Sequence, residues 1–311
     1  MNNSLNISKF TLYLVCIIRY FLIPLKYFIF FFVTSFIVLN RIIKYKYVTI
    51  FIVSHKDFHP FIKGDSYKIV TDDNNSLKLN YKLEVIYSQK KNPFYPKRIA
   101  YGEVSKIYYI FKYYRPLPKY IGFNHYRRCF NFGDNIPNLE KIFKNYDVIL
   151  DQAWITEPGN IMQQFKREHY GPALDDVMKI IKKLKPEYYE TAIKTMNLTK
   201  LHLAHLFIMK KEDFLKWGEF IYPIMFEYDK IHGLKTDSDV KNFILKNWVN
   251  ATENILYQRR LQGFLSERIS NVFYNYQFKK KYEINFTNFD LISFSQSDDF
   301  KKSKDINRKT K

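Results

Sequence analysis

Glycine is scarce in this chain of 311 residues. It occurs nine times and never as G-x-x-x-x-G-K-[ST], G-x-G-x-x-G or G-x-S-x-G. A glycine-rich phosphate loop and a serine-nucleophile elbow are therefore excluded. Cysteine is scarcer still: Cys16 lies in an apolar N-terminus and Cys129 beside a polar motif. Neither a disulfide framework nor a Cys-based zinc site follows, and a reducing, cytoplasmic setting fits. His202 and His205 form H-x-x-H, but no third ligand stands at a diagnostic spacing, so zinc-hydrolase readings drop out. Acidic residues are outnumbered, 30 against 50 Lys and Arg, for a formal net charge of +20. Such a surface attracts polyanions, anionic lipid or diphosphate-bearing substrates. The abundance of Lys, Asn, Ile, Tyr and Phe also reads as compositional drift. No zinc-finger, RNP or helix-turn-helix signature is present, so nucleic acid is not an expected partner. No internal repeat of 20–50 residues is evident.

Apolar residues are plentiful. The chain is 47% hydrophobic and 19% aromatic, with 26 Tyr and 29 Phe, enough for one large α/β domain or two small ones. Residues 10–43 form the most apolar stretch, interrupted by charge only at Arg19, Lys26 and Arg41. The part from Tyr20 to Leu39 is long enough to span a bilayer as a helix, against which stand Pro24 and the depth of Lys26. Lys9 and the N-terminal amine precede the apolar stretch, and Arg41, Lys44 and Lys46 stand at its end, an imbalance expected to keep the C-terminal bulk in the cytoplasm. Three regions are expected: an apolar N-terminal segment, 1–46, read as a membrane anchor that spans the bilayer or lies in its interface, with a buried or compositional segment as the alternative; a folded domain, 47–280; and a Lys-rich, partly disordered tail, 281–311.

The run Tyr47–Val53 reads as a buried strand, with a short strand near Tyr67–Val70. Gly102–Tyr114 has helical spacing, stopped by Pro116 and Pro118. Lys119–Phe123 and Tyr146–Leu150 are further strands, and residues 163–196 turn helical. A strand at 206–210, a helix over 212–231 and a last helix over Gln262–Tyr276 complete the pattern. Alternation of this kind predicts an α/β domain with a mostly parallel central sheet.

In such a sheet, ligands bind at the carboxyl ends of the strands. Three polar clusters fall there: Ser54-His55-Lys56, Asn124-His125-Tyr126-Arg127-Arg128, and Asp151. One shared rim is expected. Adjacent guanidinium groups with an imidazole suit phosphate oxygens and a leaving diphosphate; the plainer alternative is a basic surface turn paired with carboxylates. His55 and Lys56 are candidates for nucleotide contact, although a strand-end His is also a common structural hydrogen-bonder. Asp72 and Asp73 read as a solvated or capping turn. Asp151 is a candidate ligand for Mg²⁺ or Mn²⁺, with a loop cap as its alternative. Glu267 and Arg268, in QGFLSER, offer a general base on an acceptor hydroxyl or a sugar contact; a helix-surface ion pair is the alternative.

The ordered blocks IFIVSHK, YGEVSKIYYIFKY, YIGFNHYRRCF, YDVIL, LFIMKKEDF and YQRRLQGFLSER run from about Val48 to Tyr276. Together they resemble a bacterial family of capsular and exopolysaccharide glycosyltransferases catalogued as a domain of unknown function. The resemblance implies a GT-A-like nucleotide-sugar-binding fold and transfer of a hexose to a glycan or lipid-linked glycan, at the cytoplasmic face of the inner membrane. It implies that His55, Lys56, His125, Arg127 and Arg128 bind the donor diphosphate, with Tyr126, His205 and Arg268 as further substrate contacts. Glu103 and Glu267 become candidates for sugar binding or acceptor activation. Enzymes of this fold hold a metal on a D-x-D motif, whereas the comparable place here carries Asn124 through Arg128 without an acidic pair. Metal dependence on Mg²⁺ or Mn²⁺ and metal independence thus both stand open. The helix keeps Glu103, Tyr109 and Lys112 of the family pattern, while Ala204-His205 departs from it. A non-catalytic polyanion- or nucleic-acid-binding protein and a phosphotransferase acting on polysaccharide intermediates are the rival classes.

Overall fold

The computed structural model describes residues 26–31, 33, 47–58, 64–72, 77, 82–89, 91–130, 132, 136–248 and 254–288. The chain divides into two units, Met1–Tyr47 and Val48–Lys311. In the first, residues 26–31 and 33 are helical. The expected anchor over 10–43 otherwise lies outside the described residues. Among the described residues no helix is long and apolar enough to cross a membrane.

The second unit is built on one sheet. Its first strand, β1 (Val48–Val53), is VTIFIV, every residue of it buried. β-branched side chains on both faces suit a central strand covered on both sides. It pairs in parallel with β2 (Tyr67–Thr71) on one edge, which in turn carries β3 (Glu84–Tyr87). On its other edge runs β4 (Tyr120–His125), in register from Val48↔Tyr120 to Val53↔His125. Beyond it the order continues through β9 (Phe207–Lys210) and β6 (Val148–Asp151) to β10 (Lys281–Ile284). All strands on this path are parallel except β9, which runs against both β4 and β6. Gly122 lies where β4 faces β9: a Cβ there would stand 2.9 Å from Ile208 Cγ1 and 3.0 Å from Ile50 Cγ1. Two short strands, β5 (Arg128–Phe130) and β11 (Phe286–Asn288), pair antiparallel beside the path. A separate ribbon joins β7 (Trp154–Ile155) to β8 (Lys200–Leu201). The expected tail therefore begins too early at 281. Residues 281–288 belong to the sheet, because β10 adds to β6 with Ile284 opposite Asp151.

Helices pack around this sheet. In chain order they are α1 (Arg98–Tyr101), α2 (Glu103–Tyr113), α3 (Leu139–Ile142), α4 (Ile161–Glu168), α5 (Gly171–Leu184) and α6 (Tyr189–Met196). There follow α7 (Lys211–His232), α8 (Asp237–Asn247), α9 (Ile255–Gln258) and α10 (Leu261–Gln277). The helical region expected over 163–196 is thus three helices. It breaks at His169 and again at Lys185-Pro186, where α5 ends and a 3₁₀ turn begins. Helix α7 ends at Gly233, whose φ of +67° supplies a left-handed cap. Aromatic side chains fill the space between sheet and helices: Phe123 meets Phe51, Phe207 and Phe214, and Trp217 meets Phe207 and Phe214, with ring centroids 5.2–6.0 Å apart. The high aromatic content is spent here, in edge and offset contacts that fix one packing.

Candidate active site

Parallel pairing of β2, β1 and β4 aligns their carboxyl ends. Those ends form one wall of a cleft of about 600 Å³, within the range of small-ligand sites. Ser54, His55 and Lys56 leave β1 into it, Asp72 follows β2, His125 ends β4, and Tyr126 and Arg127 follow it. The facing wall comes from Arg98, Ile99, Gly102, Glu103 and Lys106 of α1 and α2, and from Leu256, Arg259 and Arg260 around α9. Two of the three clusters expected to share a rim do so. The third does not.

The strand-end side chains are organised around Tyr126, which is 5% exposed. Its ring meets His55 edge-on at 5.1 Å and His125 at 4.4 Å. Lys56 Nζ lies 5.6 Å and Arg127 Cζ 5.2 Å from its centroid. Cation–π attraction thereby holds two positive groups at the cleft. The Arg127 backbone N–H donates to His125 Nδ1 at 3.3 Å, which leaves the Nε2–H of the neutral ring as its donor. Burial lowers His125 to a pKa of about 3; Glu103 opposes that shift, and Arg127, Arg128 and His55 add to it. His55 faces solvent across the cleft mouth, yet desolvation followed by Lys106, Arg127, Lys56 and Arg260 brings it to about 4. At neutral pH both imidazoles are uncharged donors rather than cations. Positive charge comes from Lys and Arg.

Glu103 is 8% exposed. His205 Nδ1–H donates to its Oε1 at 3.2 Å, and Arg260 Nη2 stands 3.9 Å from Oε2. Burial alone would raise its pKa, but the His205 hydrogen bond and the surrounding charges hold it well below the carboxylate range. So weak a base accepts a hydroxyl hydrogen bond readily and abstracts a proton poorly. His205 sits behind Glu103, 3% exposed, with a left-handed φ of +50°, and is not among the cleft-lining residues.

Four expectations change. Arg128 does not line the cleft: Arg127 occupies the turn after β4, while Arg128 enters β5 opposite His125. The adjacent pair is not one fork. Asp151 is 3% exposed and sits beside His202, whose Nδ1–H donates to the Asp151 carbonyl at 2.8 Å, and burial raises its carboxyl pKa. Its strand leaves from the far side of antiparallel β9, away from β1 and β4. Glu267 and Arg268 are neither a surface pair nor cleft residues. Arg268 is 2% exposed and donates to Glu267 at 2.9 Å and to Gln164 at 2.7 Å, while Glu267 accepts the Ala204 N–H at 2.9 Å. They brace the segment that carries His205. Asp72 is no solvated turn; 5% exposed, it pairs with Lys106 Nζ at 2.8 Å.

Sequence reasoning passed over Arg98, Lys106, Arg259 and Arg260. Arg259 and Arg260 stand in the block YQRRLQGFLSER, so a signal existed. As for a divalent cation, the two cleft carboxylates are committed, Asp72 to Lys106 and Glu103 to His205. Among the described residues no group of three or more His, Cys, Asp or Glu could hold one.

Residues 49–280 match the family model described as "Domain of unknown function (DUF4422)". The chain belongs to this family. No curated protein matches its sequence. A solved structure of WbbM, described as a bifunctional glycosyltransferase in its apo form, is similar with a TM-score of 0.60 and 19% identity. The match covers 78% of this chain and 45% of that one, so the present chain spans under half of its length. The likeness establishes a shared fold, and the family match takes in the whole cleft, from Ser54 to Arg260.

The wall bearing Arg259 and Arg260 is anchored by His169, 3% exposed. Its Nδ1–H donates to Gln258 Oε1 at 3.1 Å, and Gln258 Nε2–H donates to the Glu168 carbonyl at 2.9 Å. Burial, then the charge of Arg268, lowers His169 from 6.5 to about 3. Below pH 6.5 the unfolded chain takes up this proton and the folded chain does not, so stability falls as pH falls. Between pH 7 and 5 the loss from this residue is about 2 kcal/mol. His55 and His125, also lowered, add their own losses, so urea denaturation at the two pH values should show a loss about 2 kcal/mol smaller in His169→Gln than in the wild type. Equal losses in the two proteins would remove His169 as the titrating group.

Proposed function

We propose that this protein is a glycosyltransferase of GT-A-like architecture that moves a hexose from a nucleotide-sugar donor to a glycan or lipid-linked glycan acceptor. The observation carrying this reading is the convergence of Ser54, His55, Lys56, Lys106, His125 and Arg127 on one cleft at aligned parallel strand ends. Lys56, Lys106 and Arg127 supply fixed charge for a diphosphate, and the neutral imidazoles supply N–H donors that cost little desolvation. As the glycosidic bond breaks, negative charge grows on the leaving diphosphate, where a preorganised guanidinium lowers the barrier. Glu103, kept ionised, orients hydroxyl groups of the sugar or acceptor. The likeness in fold to a solved bifunctional glycosyltransferase supports the same reading.

Metal independence is part of the proposal, because cations of the chain occupy the place where an acidic pair would be needed. The setting proposed is capsular, exopolysaccharide or O-antigen synthesis at the cytoplasmic face of the inner membrane. The apolar run over 10–43 and the +20 charge support it.

The test is thermal shift against a panel of UDP-, GDP-, CMP- and dTDP-sugars, with and without EDTA, followed by turnover with the best donor. One nucleotide class should raise the melting temperature, and EDTA should leave both shift and turnover intact. A panel without any stabilising donor would sink the reading, and turnover abolished by EDTA and restored by Mn²⁺ would sink metal independence.

A further inference from the structure

Lys106 on α2 is paired with Asp72 at 2.8 Å, and the two histidines at the strand ends bring no charge at neutral pH. The facing wall carries Arg98, Arg259 and Arg260. Among the described residues, no carboxylate stands within ion-pair distance of Arg98 or Arg259. Arg260 reaches only Glu103, at 3.9 Å, and His205 already bonds that carboxylate at 3.2 Å. Arg259 Nε is buried without a hydrogen-bond partner. Arg98 lies over the Tyr95 ring at 4.6 Å and donates to the Tyr95 carbonyl at 3.3 Å. Those contacts fix its position without cancelling its charge. Three guanidinium groups therefore line one cleft with a carboxylate near Arg260 alone, and a bound anion would offset that excess of positive charge.

A donor diphosphate does not account for them all. Its negative charge is met by Lys56 and Arg127 on the strand-end wall, beside the histidines that would donate to it, and by Lys106, which reaches across to Asp72 at the end of β2. Beside the arginine wall, Leu256 lines the same cleft and is 68% exposed. An apolar side chain held in water next to unneutralised guanidinium groups matches a ligand with a phosphate head and an apolar continuation.

We infer that Arg98, Arg259 and Arg260 form a second anion subsite, which takes a phosphate ester on the acceptor while the donor diphosphate occupies the strand-end wall. Naming the acceptor as the source rests on the glycosyltransferase reading; the existence of two separable anion sites does not. A phosphorylated soluble glycan and a lipid-linked one present the same head group, and the apolar tail tells them apart.

The experiment uses the full chain and calorimetric titration with methyl phosphate and with decyl phosphate below its micelle concentration. Each is added to protein saturated with the best nucleoside diphosphate. Both phosphates should bind the loaded protein. The double variant R98Q/R259Q should weaken each by about tenfold or more, the worth of charge-assisted hydrogen bonds. Nucleotide affinity should move by less than about threefold, as expected for separate sites. Both residues are only half-buried, and circular dichroism checks that the variant folds. Tighter decyl than methyl phosphate assigns the head group to a lipid-linked acceptor, and equal affinities assign it to a soluble one. Displacement of the nucleotide by either phosphate overturns the inference, as does a double variant that weakens nucleotide and phosphate alike. If no nucleoside diphosphate binds, the glycosyltransferase reading fails on its own. Phosphate titration of the unloaded chain then decides the subsite: binding lost in R98Q/R259Q supports it, and binding unchanged overturns it.

Discussion

Arg127→Ala should lower turnover with the nucleotide sugar about 10²- to 10³-fold, the usual consequence of removing one preorganised donor from a developing negative charge. Stability should move by no more than about 0.5 kcal/mol, because the side chain is exposed on a turn. The expectation follows from position. Arg127 stands two residues past the end of β4, on the same wall as the end of β1, and its guanidinium lies over the buried Tyr126 ring at 5.2 Å. Held there before substrate arrives, it needs little reorganisation when charge shifts to the leaving group. Arg127→Lys should recover part of the loss, since an ammonium restores charge without the planar fork. Arg128→Ala is the internal control and should stay within about threefold of wild type, as a substitution outside the cleft does. Steady-state kinetics separate the alternatives. A fall in kcat supports stabilisation of the transition state, and a higher KM at unchanged kcat would reduce Arg127 to a uniform binding contact.

The contrast between Arg127 and Arg128 also shows where sequence reading reached its limit. β1, α2 and β4 were legible because each is a long run of one period, and their polar ends could be placed by the rule for parallel sheets. That rule brings Ser54–Lys56 and Asn124–Arg128 to one rim; the structure places Ser54, His55, Lys56, His125, Tyr126 and Arg127 there and leaves Asn124 and Arg128 outside it. It failed for Asp151, because the run YDVIL carries no sign of its place in the sheet. Antiparallel β9 stands between β6 and β4 and removes Asp151 from the cleft. Nor does adjacency in HYRR reveal that the turn ends between its two arginines. Glu267 and Arg268 were misjudged for a different reason. Helix α10 is buried over most of its circumference, whereas its sequence, with Ser266, Glu267, Arg268 and Asn271, reads as amphipathic. Buried polar networks defeat periodicity arguments, since their residues satisfy one another instead of facing water. Arg98, Arg259 and Arg260 come from segments about 160 residues apart in sequence, and only the packing of α1 against α10 brings them together.

Asp229→Ala should destabilise the folded domain by about 3–5 kcal/mol, the range for breaking a buried ion pair from one side. Asp229 and Lys97 are 4% and 7% exposed, and Lys97 Nζ donates to Asp229 Oδ2. The same carboxylate accepts from Tyr101 Oη–H at 2.6 Å and from Gln262 Nε2–H at 3.1 Å. One anion on α7 thus joins the 3₁₀ turn before α1, α1 itself and α10. Alanine would leave Lys97 with the Leu234 carbonyl at 3.3 Å as its hydrogen-bond acceptor and a buried charge without a counterion. Urea denaturation measures the loss, and the double variant K97M/D229L identifies its cause. If the penalty is the orphaned ammonium, the double variant should recover most of it, because an apolar pair of similar volume needs no desolvation of charge. If it stays as unstable as Asp229→Ala, the hydrogen bonds from Tyr101 and Gln262 carry the stability instead. The cleft feels either outcome, since Arg98, Gly102 and Glu103 flank the residues that Asp229 holds. A domain weakened at this joint should lose affinity for phosphate at the arginine wall before it loses affinity for nucleotide at the strand ends.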